Sequence, residues 1–318
     1  MNKKLLTVLP ILLLATSCDL NISFGKTSSV SVEESSFAEA SSVEASSTDE
    51  LSSSSSQEEE SSSAEAYELV WSDEFDGDSL DTSNWNYQYG DGSSYGITGW
   101  GNQEQQYYKE ENVSVKDGEL VITAKKESAG GYSYTSARIT TANKVHTKYG
   151  KIEARIALPA IQGMWPAFWM LPESRYENQG WPHSGEIDIM EAKGRLPNVT
   201  SGALHYANDN NSHTYMTANN VFKLNNYTNI EEYHVYGITW SEEKIVWYCD
   251  EVEFLTVSKS QWHTAAYSQN DASPFNQNFH ILLNMAVGGH FDNYILPPDD
   301  FTSAEMKIDY VRIYQENK

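Results

Sequence analysis

The most regular pattern in the chain is a series of short runs rich in Val, Ile, Tyr, Trp and Thr, in which apolar and polar positions alternate. Such alternation is typical of half-buried β-strands, because successive side chains of a strand point to opposite faces. The run from Lys307 to Tyr314, for example, interleaves Ile and Val with polar or aromatic residues. No long stretch shows a helical period. The pattern predicts an all-β fold, a jelly-roll β-sandwich of two antiparallel sheets.

The predicted strands are separated by Gly, Asn and Asp, the residues that favour turns. A hairpin is indicated at Asp117-Gly118, between Val113 to Val115 and Leu120 to Ala124, because glycine tolerates the positive φ of a tight turn. The other strand candidates are Ala137 to Thr141, Lys151 to Leu158, Trp165 to Leu171, Glu186 to Glu191, Gly202 to Tyr206, His234 to Trp240, Ile245 to Cys249, Phe279 to Ala286 and Met306 to Tyr314. We expect residues 67–318 to form one domain, a normal size for a sandwich.

The segment before this domain has a different composition. Residues 18–66 are mostly Ser, Glu and Ala, and they include the runs Ser52 to Ser56 and Glu58 to Glu60. Such a segment buries too little apolar surface to offset the entropy of ordering, and its like charges extend it. We therefore predict a disordered linker, which is either a tether that gives a catalytic domain reach over a polymer or a spacer of no particular length.

Residues 1–17 have the features of an export signal. Lys3 and Lys4 precede an apolar run from Leu5 to Leu14 that is too short to span a bilayer, and small residues follow before Cys18. The end of this segment resembles a bacterial lipobox, which implies that Cys18 is lipidated. We expect an extracellular or cell-surface protein that is anchored to the membrane by this lipid. A soluble secreted protein with an unmodified Cys18 is the alternative.

Charge and cysteine content exclude several classes of protein. The formal net charge of -24 disfavours nucleic-acid binding, because that affinity comes largely from cations. Apart from Cys18 the chain contains only Cys249, so no disulfide can form within the domain. No glycine-rich phosphate loop or histidine-rich ligand set is present. We therefore expect no nucleic-acid partner, no catalytic cofactor and a monomeric protein.

The candidate chemistry lies in the strand that begins at Glu186, in the sequence GEIDIMEAKG. Strict alternation places Glu186 and Asp188 on one face and Ile187 on the other. It would also bury the charge of Glu191 among the isoleucines, which is costly. A β-bulge near Met190 would return Glu191 to the acidic face, and we predict that bulge.

Three carboxyls on one face suit glycoside hydrolysis, which needs one carboxyl at the anomeric carbon and another to protonate the departing oxygen. A separation of about 5 to 5.5 Å between the two carboxyls gives retention of configuration. Asp188 lies between Glu186 and Glu191, where it could hydrogen-bond the nucleophile. A solvated acidic strand and a metal site remain alternatives, although this segment contains no histidine for a transition metal, and hard-cation sites usually lie in loops that carry Gly and Asn.

Five motifs are spread along the predicted domain, and they are WSDEF from Trp71, WGNQEQQYY from Trp100, GMWPAFWMLP from Gly163, GEIDIMEAKG from Gly185 and IDYVRIY from Ile308. Together they resemble glycoside hydrolase family 16, in particular its bacterial laminarinase-like branch. The resemblance covers the whole predicted domain, from Tyr67 to Gln315, and implies a jelly-roll with a concave glycan-binding cleft. It implies Glu186 as the nucleophile, Glu191 as the acid/base and Asp188 as an assisting carboxylate.

The resemblance also bears on the substrate. Lichenase-like members of the family have a carboxylate strand without the bulge, whereas Met190 adds one residue to the strand here. This difference favours β-1,3-glucan of the laminarin type as the main substrate and mixed-linkage glucan as a secondary one. Galactan hydrolases share the bulge, so a galactan remains an alternative, as does a transglycosylase. A glycan-binding lipoprotein without activity is the other alternative, although a binder gains nothing from crowded carboxyls. His290-Phe291 and Glu251 depart from the residues common in the branch.

Several further residues are candidates for sugar binding. Trp165, Trp169 and Trp181 could stack on pyranose rings, and the first two have the same strand parity. Packing in the core is the alternative for these indoles. Asn102 resembles a residue that hydrogen-bonds sugar hydroxyls, and His205 resembles the family's histidine near the acid/base, although a lone strand histidine is often structural.

The resemblance also implies a structural calcium ion on the convex side. Its ligands would be Glu74, the carbonyl of Gly118 and Asp309, since carboxylate and carbonyl oxygens suit this ion. Ordinary surface acids are the alternative.

Overall fold

A computed structural model describes residues 66–221, 229–267 and 270–317. In chain order its strands and single helical turn are β1 Tyr67–Asp73, β2 Asn86–Gln88, β3 Gln106–Tyr108, β4 Val113–Lys116, β5 Glu119–Lys125, β6 Tyr134–Ser136, β7 Arg138–Thr140, β8 His146–Thr147, β9 Gly150–Ala157, β10 Met164–Pro172, β11 Glu186–Ala192, β12 Val199–Ala207, β13 His213–Val221, β14 His234–Trp240, β15 Lys244–Cys249, β16 Val252–Ser258, α1 Lys259–Trp262, β17 Phe279–Val287 and β18 Ser303–Glu316.

The strands form two sheets, as predicted. Sheet A has the order β16-β15-β14-β9-β18-β5-β6-β3, with β1 beside β18 and β4 beside β5. Sheet B has the order β13-β12-β11-β10-β17-β7-β2, with β8 beside β17. The pairings are antiparallel except for the short parallel contact of β3 with β6. The jelly-roll of two antiparallel sheets is thus confirmed.

The core lies between the inner faces of the two sheets. Ile152 and Ile308 from sheet A, and Ile187 and Leu283 from sheet B, are fully buried there. These side chains come from alternate positions of their strands, so the core follows from the apolar alternation in the sequence. No helix among the described residues is both long enough and apolar enough to cross a membrane.

Each predicted strand is present, with ends that differ by a few residues. The predicted Asp117-Gly118 turn joins β4 to β5, and both of its residues have positive φ, 56° and 78°. The hairpin at Asp250-Glu251 has the same backbone form without a glycine, with φ values of 48° and 66°. The strands that the sequence pattern did not predict are β1, β2, β3, β6, β8, β13 and β16.

The predicted export signal at 1–17, the lipidation site Cys18 and the linker up to residue 65 lie outside the described residues. Ala66 directly precedes β1. The signal, the lipid anchor and the linker therefore stay predictions.

Candidate active site

The predicted bulge in the carboxylate strand is present. Opposite β12, Asp188 pairs with Ala203 and Glu191 with Ser201, so β11 uses one residue more than its neighbour. Ile189 and Met190 are both buried in the core, each 1% exposed. Because two successive side chains point inward, Glu191 returns to the face that carries Glu186 and Asp188.

A side chain of the opposite sheet supports the bulge. Trp247 of β15 reaches across the core, and its Nε1 donates a 2.8 Å hydrogen bond to the main-chain oxygen of Asp188. A Cβ at Gly202 of β12 would lie 2.5 Å from Cδ1 of this indole. Glycine at position 202 therefore leaves room for the indole of Trp247 to reach the bulge, where the pairing between β11 and β12 is interrupted.

The three carboxyls of β11 line the same cleft. One oxygen of Glu186, one of Asp188 and a ring nitrogen of His205 lie within 4.8 Å of one another. Nε2 of His205 is 3.0 Å from Oδ2 of Asp188, an ion-pair distance, although this oxygen accepts no hydrogen bond from the described residues. The hydrogen bond between Asp188 and Glu186 that the sequence suggested stays a prediction. Nε1 of Trp165 donates a 2.9 Å hydrogen bond to Oε1 of Glu191.

This crowded, half-buried position changes the acidity of the carboxyls. Burial, and after it the charge of Asp188, raise the pKa of Glu191 to about 8, and the indole N–H of Trp165 opposes both effects. Burial also raises the pKa of Glu186 and of Asp188. The charges of His205 and Arg138 oppose the rise for Glu186. The site therefore retains protons at neutral pH, as an acid catalyst requires.

On the Glu186 side the cleft is a cavity of about 280 Å³ with an aromatic wall. The guanidinium of Arg138 lies between two indoles, 4.5 Å from the ring centre of Trp100 and 4.7 Å from that of Trp169. Glu104 is buried beneath it and accepts hydrogen bonds from Gln106 and from Tyr108, at 2.7 and 3.0 Å. This wall is a rigid polar and aromatic surface.

On the Glu191 side the cleft widens to a cavity of about 720 Å³. Phe291 stacks on Trp165 with ring centres 4.8 Å apart, and the ammonium of Lys193 lies 4.4 Å from the Phe291 ring centre. Four exposed side chains of β13 line the opposite wall of this cavity, and they are His213, Tyr215, Thr217 and Asn219. Aromatic and polar groups therefore flank the carboxyls on both sides, as a sugar chain requires.

The predicted sugar-binding residues all line the cleft. Trp165 and Trp169 face the same side, as their parity predicted, but each is held by neighbours, Trp165 by Phe291 and Trp169 by a 2.7 Å hydrogen bond to Asn284. Trp181 is 52% exposed at the rim and is the freest of the three indoles. The side-chain amide of Asn102 donates to Glu104 at 3.1 Å.

The residues proposed for calcium make other contacts. Both oxygens of Glu74 accept hydrogen bonds from Arg312, at 2.9 and 2.8 Å, and Oδ2 of Asp309 accepts one from Arg155 at 2.8 Å. A guanidinium that holds both oxygens of Glu74 neutralises its charge. In this arrangement the carboxyls do not fit a calcium ion, and calcium binding stays a prediction.

A second group of potential ligands lies away from the cleft, where His234, Cys249 and Asp250 approach one another within 4.8 Å. Nδ1 of His234 is 2.6 Å from Asp250, and its Nε2 is 3.0 Å from the carbonyl oxygen of Asn229. Since both ring nitrogens are engaged, the group serves to fasten the β14–β15 hairpin.

Sequence reasoning missed several cleft residues. His213 and Tyr215 belong to the run HTYMTANNV, whose exposed and half-buried positions alternate strictly along β13. The sequence carried only a weak signal for this strand, because Tyr215 and Met216 are adjacent apolar residues that face opposite sides. Arg138 and Glu104 carried no such signal, because only the fold brings their charges near Glu186.

Comparison with known proteins supports this geometry. The family described as "Beta-porphyranase A-D, GH16 domain" matches residues 67–316. Glucan endo-1,3-beta-glucosidase A1 of Niallia circulans is 40% identical over 262 residues, covering 78% of this chain and 38% of its own length. The chain thus spans well under half of that relative. Beta-glucanase of Rhodothermus marinus is 38% identical, covering 78% of this chain and 85% of its own.

Among solved structures, the chain is similar to the laminarinase catalytic domain of Thermotoga maritima MSB8. The two share 37% identity with a TM-score of 0.71, and the match covers 80% of this chain and 100% of the other.

Proposed function

The chain belongs to glycoside hydrolase family 16, and from this premise we propose that it is an endo-acting hydrolase of β-1,3-glucan that retains the configuration at the cleaved linkage. The proposal depends above all on the bulge in β11, which brings Glu191 to the same cleft face as Glu186 and Asp188. Relatives named as endo-1,3-β-glucosidase and laminarinase support the choice of substrate.

The proposed reaction has two displacements. The carboxylate of Glu186 attacks the anomeric carbon, while Glu191 gives its proton to the departing glycosidic oxygen. The bond between that oxygen and the anomeric carbon breaks, and the sugar is left as an ester of Glu186. Glu191, now ionised, then takes a proton from water, and the resulting hydroxide displaces Glu186. Burial raises the pKa of both glutamates to about 8, which suits Glu191 as the acid of the first step, while the charges of His205 and Arg138 lower the pKa of Glu186 and favour its ionised form as the nucleophile.

The test is substitution of each glutamate. Glu186→Gln and Glu191→Gln should each lower the release of reducing ends from laminarin by about 10³-fold or more, because each removes a whole chemical step. Glu305→Gln is the matched control, because Glu305 is an exposed residue of β18 in sheet A, and this variant should keep wild-type activity. Laminarin hydrolysis that survives either active-site change would exclude the mechanism.

A second candidate substrate is supported by the matched family, which is named for beta-porphyranases. The same two displacements would then act on porphyran or a similar galactan. Product analysis on laminarin, mixed-linkage glucan, agar and porphyran separates these cases. The same products show whether water or another sugar takes the glycosyl group, which distinguishes hydrolysis from transglycosylation. Binding to laminarin without turnover on any substrate would indicate the non-catalytic lipoprotein instead.

We also propose that the protein is exported and held at the cell surface by a lipid on Cys18. The support is sequence alone: two lysines, a short apolar run and small residues directly before the cysteine. Labelling with a radioactive fatty acid should mark the wild-type chain and leave Cys18→Ser unlabelled. Equal labelling of both would exclude this site. A monomer in solution, expected from the sequence, can be checked by light scattering.

A further inference from the structure

Asp188, His205 and His213 form a chain of close polar contacts that runs from β11 across β12 to β13. Nε2 of His205 lies 3.0 Å from Oδ2 of Asp188, and Nδ1 of His205 lies 2.7 Å from Nε2 of His213. Since β13 is the edge strand of sheet B, the chain connects the middle carboxyl of the active site to the border of the sheet.

The two imidazoles meet by their edges. Their planes are 14° from parallel and their ring centres are 5.0 Å apart. Rings that lay face to face would keep their atoms at least about 3.5 Å apart, and the 2.7 Å between the facing nitrogens of His205 and His213 is shorter than that van der Waals contact. The contact is therefore an in-plane hydrogen bond, which requires one proton between the nitrogens.

The number of protons fixes the direction of the chain. Two N–H groups cannot face each other at 2.7 Å, so His205 and His213 cannot both be cations in this arrangement. When both are neutral, a proton on Nε2 of His205 can be donated to Asp188 only if Nδ1 of His205 is an acceptor. Nε2 of His213 is then the donor to that nitrogen. One tautomer of each ring satisfies both contacts.

The surroundings of His213 keep it neutral. Burial and the like charges of His205 and His290 lower the pKa of His213 below its usual value. The ring of Trp181 lies over it, with centres 4.5 Å apart. The titratable and charged groups that line the same cavity are Glu186, Asp188, Glu191, Lys193, His205, Tyr215 and His290.

We propose that His213 is a positioning residue for the hydrolytic reaction, since its N–H fixes the tautomer in which the proton of His205 lies on Nε2, the nitrogen 3.0 Å from Asp188. This inference rests on the proposed function and adds to it a residue on a neighbouring strand. His213 lines the wall of the cleft but reaches the carboxyls only through His205, so its effect on the chemical step is indirect.

The consequence is an altered acidity of Glu191. A proton on Nε2 of His205, 3.0 Å from Oδ2, stabilises ionised Asp188, and that negative charge raises the pKa of Glu191. Without His213, Nδ1 of His205 is free to hold a proton of its own. His205 then either turns a lone pair toward Asp188, which favours protonated Asp188, or becomes a cation. Both outcomes make it easier for Glu191 to lose its proton.

The experiment compares His213→Leu with His213→Gln, because an amide N–H at the glutamine end can still donate to His205. We measure kcat/KM on laminarin across the alkaline limb of the pH profile. His213→Leu should move this limb down by about half a pH unit or more, roughly a three-fold loss at a fixed alkaline pH. His213→Gln should restore most of the wild-type profile. Val221→Thr, an exposed change on the same strand outside the cavity lining, is the matched control.

A uniform loss of activity in His213→Leu with an unchanged profile would overturn the proposal, as would a His213→Gln profile equal to that of His213→Leu. If His213→Leu fails to fold, nitrogen NMR of histidine side chains in the wild-type full chain decides the matter. His205 should carry its proton on Nε2, and a proton on Nδ1 would contradict the inference. An inactive wild-type protein would refute the proposed function, while the NMR result would still test the tautomer.

Discussion

Trp247 in sheet A and Asp188 in sheet B are joined by a 2.8 Å hydrogen bond, from the indole Nε1 to the main-chain oxygen. The bond crosses the core and ends at the bulge that brings the three carboxyls of β11 to one face. The position of these carboxyls therefore involves a fully buried residue of the opposite sheet that does not line the cleft.

Trp247→Phe should therefore lower both stability and activity. The change leaves a buried carbonyl without its donor and a small cavity, so the free energy of unfolding should fall by about 2–4 kcal/mol. Trp262→Phe is the matched control, because Trp262 is equally buried and its Nε1 has no hydrogen-bond partner among the described residues. Urea unfolding and kcat on laminarin measure the effects. Equal losses in the two variants would mean that the hydrogen bond has no role.

Stability should also depend on pH through Glu191. Its pKa is raised from 4.5 to about 8 in the folded state, so the folded protein holds a proton that the unfolded chain has lost over this range. Stability from this group is present at low pH and decreases as pH rises toward 8. Gln at position 191 does not titrate, so Glu191→Gln does not lose this stability. The difference in melting temperature between Glu191→Gln and the wild type should therefore grow, in favour of the variant, as the pH rises toward 8.

The control for this comparison is Glu305→Gln, an exposed acid on sheet A. Its melting temperature should follow that of the wild type at every pH. A Glu191→Gln difference that stays constant from acid to alkaline pH would contradict the raised pKa.

Trp165→Phe should shift the pH profile in the direction opposite to His213→Leu. The indole N–H of Trp165 lowers the pKa of Glu191, and a phenyl ring can still stack on Phe291. Loss of the donor should raise the pKa of the acid and move the alkaline limb of kcat/KM upward. Trp169→Phe removes an indole that donates to Asn284 instead, and it should lower activity without this shift.

Arg138 and Glu104 should be coupled in stability. Arg138→Met leaves Glu104 buried without a compensating charge, and we expect a loss of about 3–5 kcal/mol in the free energy of unfolding. Adding Glu104→Gln should recover part of this loss, which a double-mutant cycle measures. Because Arg138 also lowers the pKa of Glu186, the acid limb of activity should move to higher pH in Arg138→Met. Additive effects would contradict the coupling.

The hairpin at Glu251 offers a change that should stabilise the protein. Glu251 has a φ of 66°, a left-handed conformation that glycine adopts without steric cost. Glu251→Gly should raise the free energy of unfolding by about 1 kcal/mol, and Gly118→Ala in the equivalent turn should lower it by about as much. Thermal unfolding of the two variants is the measurement, and a loss in Glu251→Gly would show that the strain is absent.

The sequence by itself determined the fold class and the carboxylate strand. Apolar alternation predicted each long core strand, because strands buried on one face must repeat at every second residue. The bulge at Met190 was predictable for the same reason, since without it the charge of Glu191 would lie in the core. The family resemblance, read from these motifs, was confirmed. The short strands β2, β3, β6 and β8 were not predicted, because two or three residues carry no measurable period.

Only the tertiary structure decided which groups surround the carboxyls. Trp247, Arg138 and His213 come from distant parts of the chain, and their effects depend on contacts of about 3 to 5 Å. Glu74 and Asp309 show the same limit, because only the fold brings Arg312 to the first and Arg155 to the second. The periodicity and composition of the sequence indicate which face of a strand carries a given side chain. They do not report which side chain from another strand lies opposite, because strand order and register arise from packing of the whole sandwich.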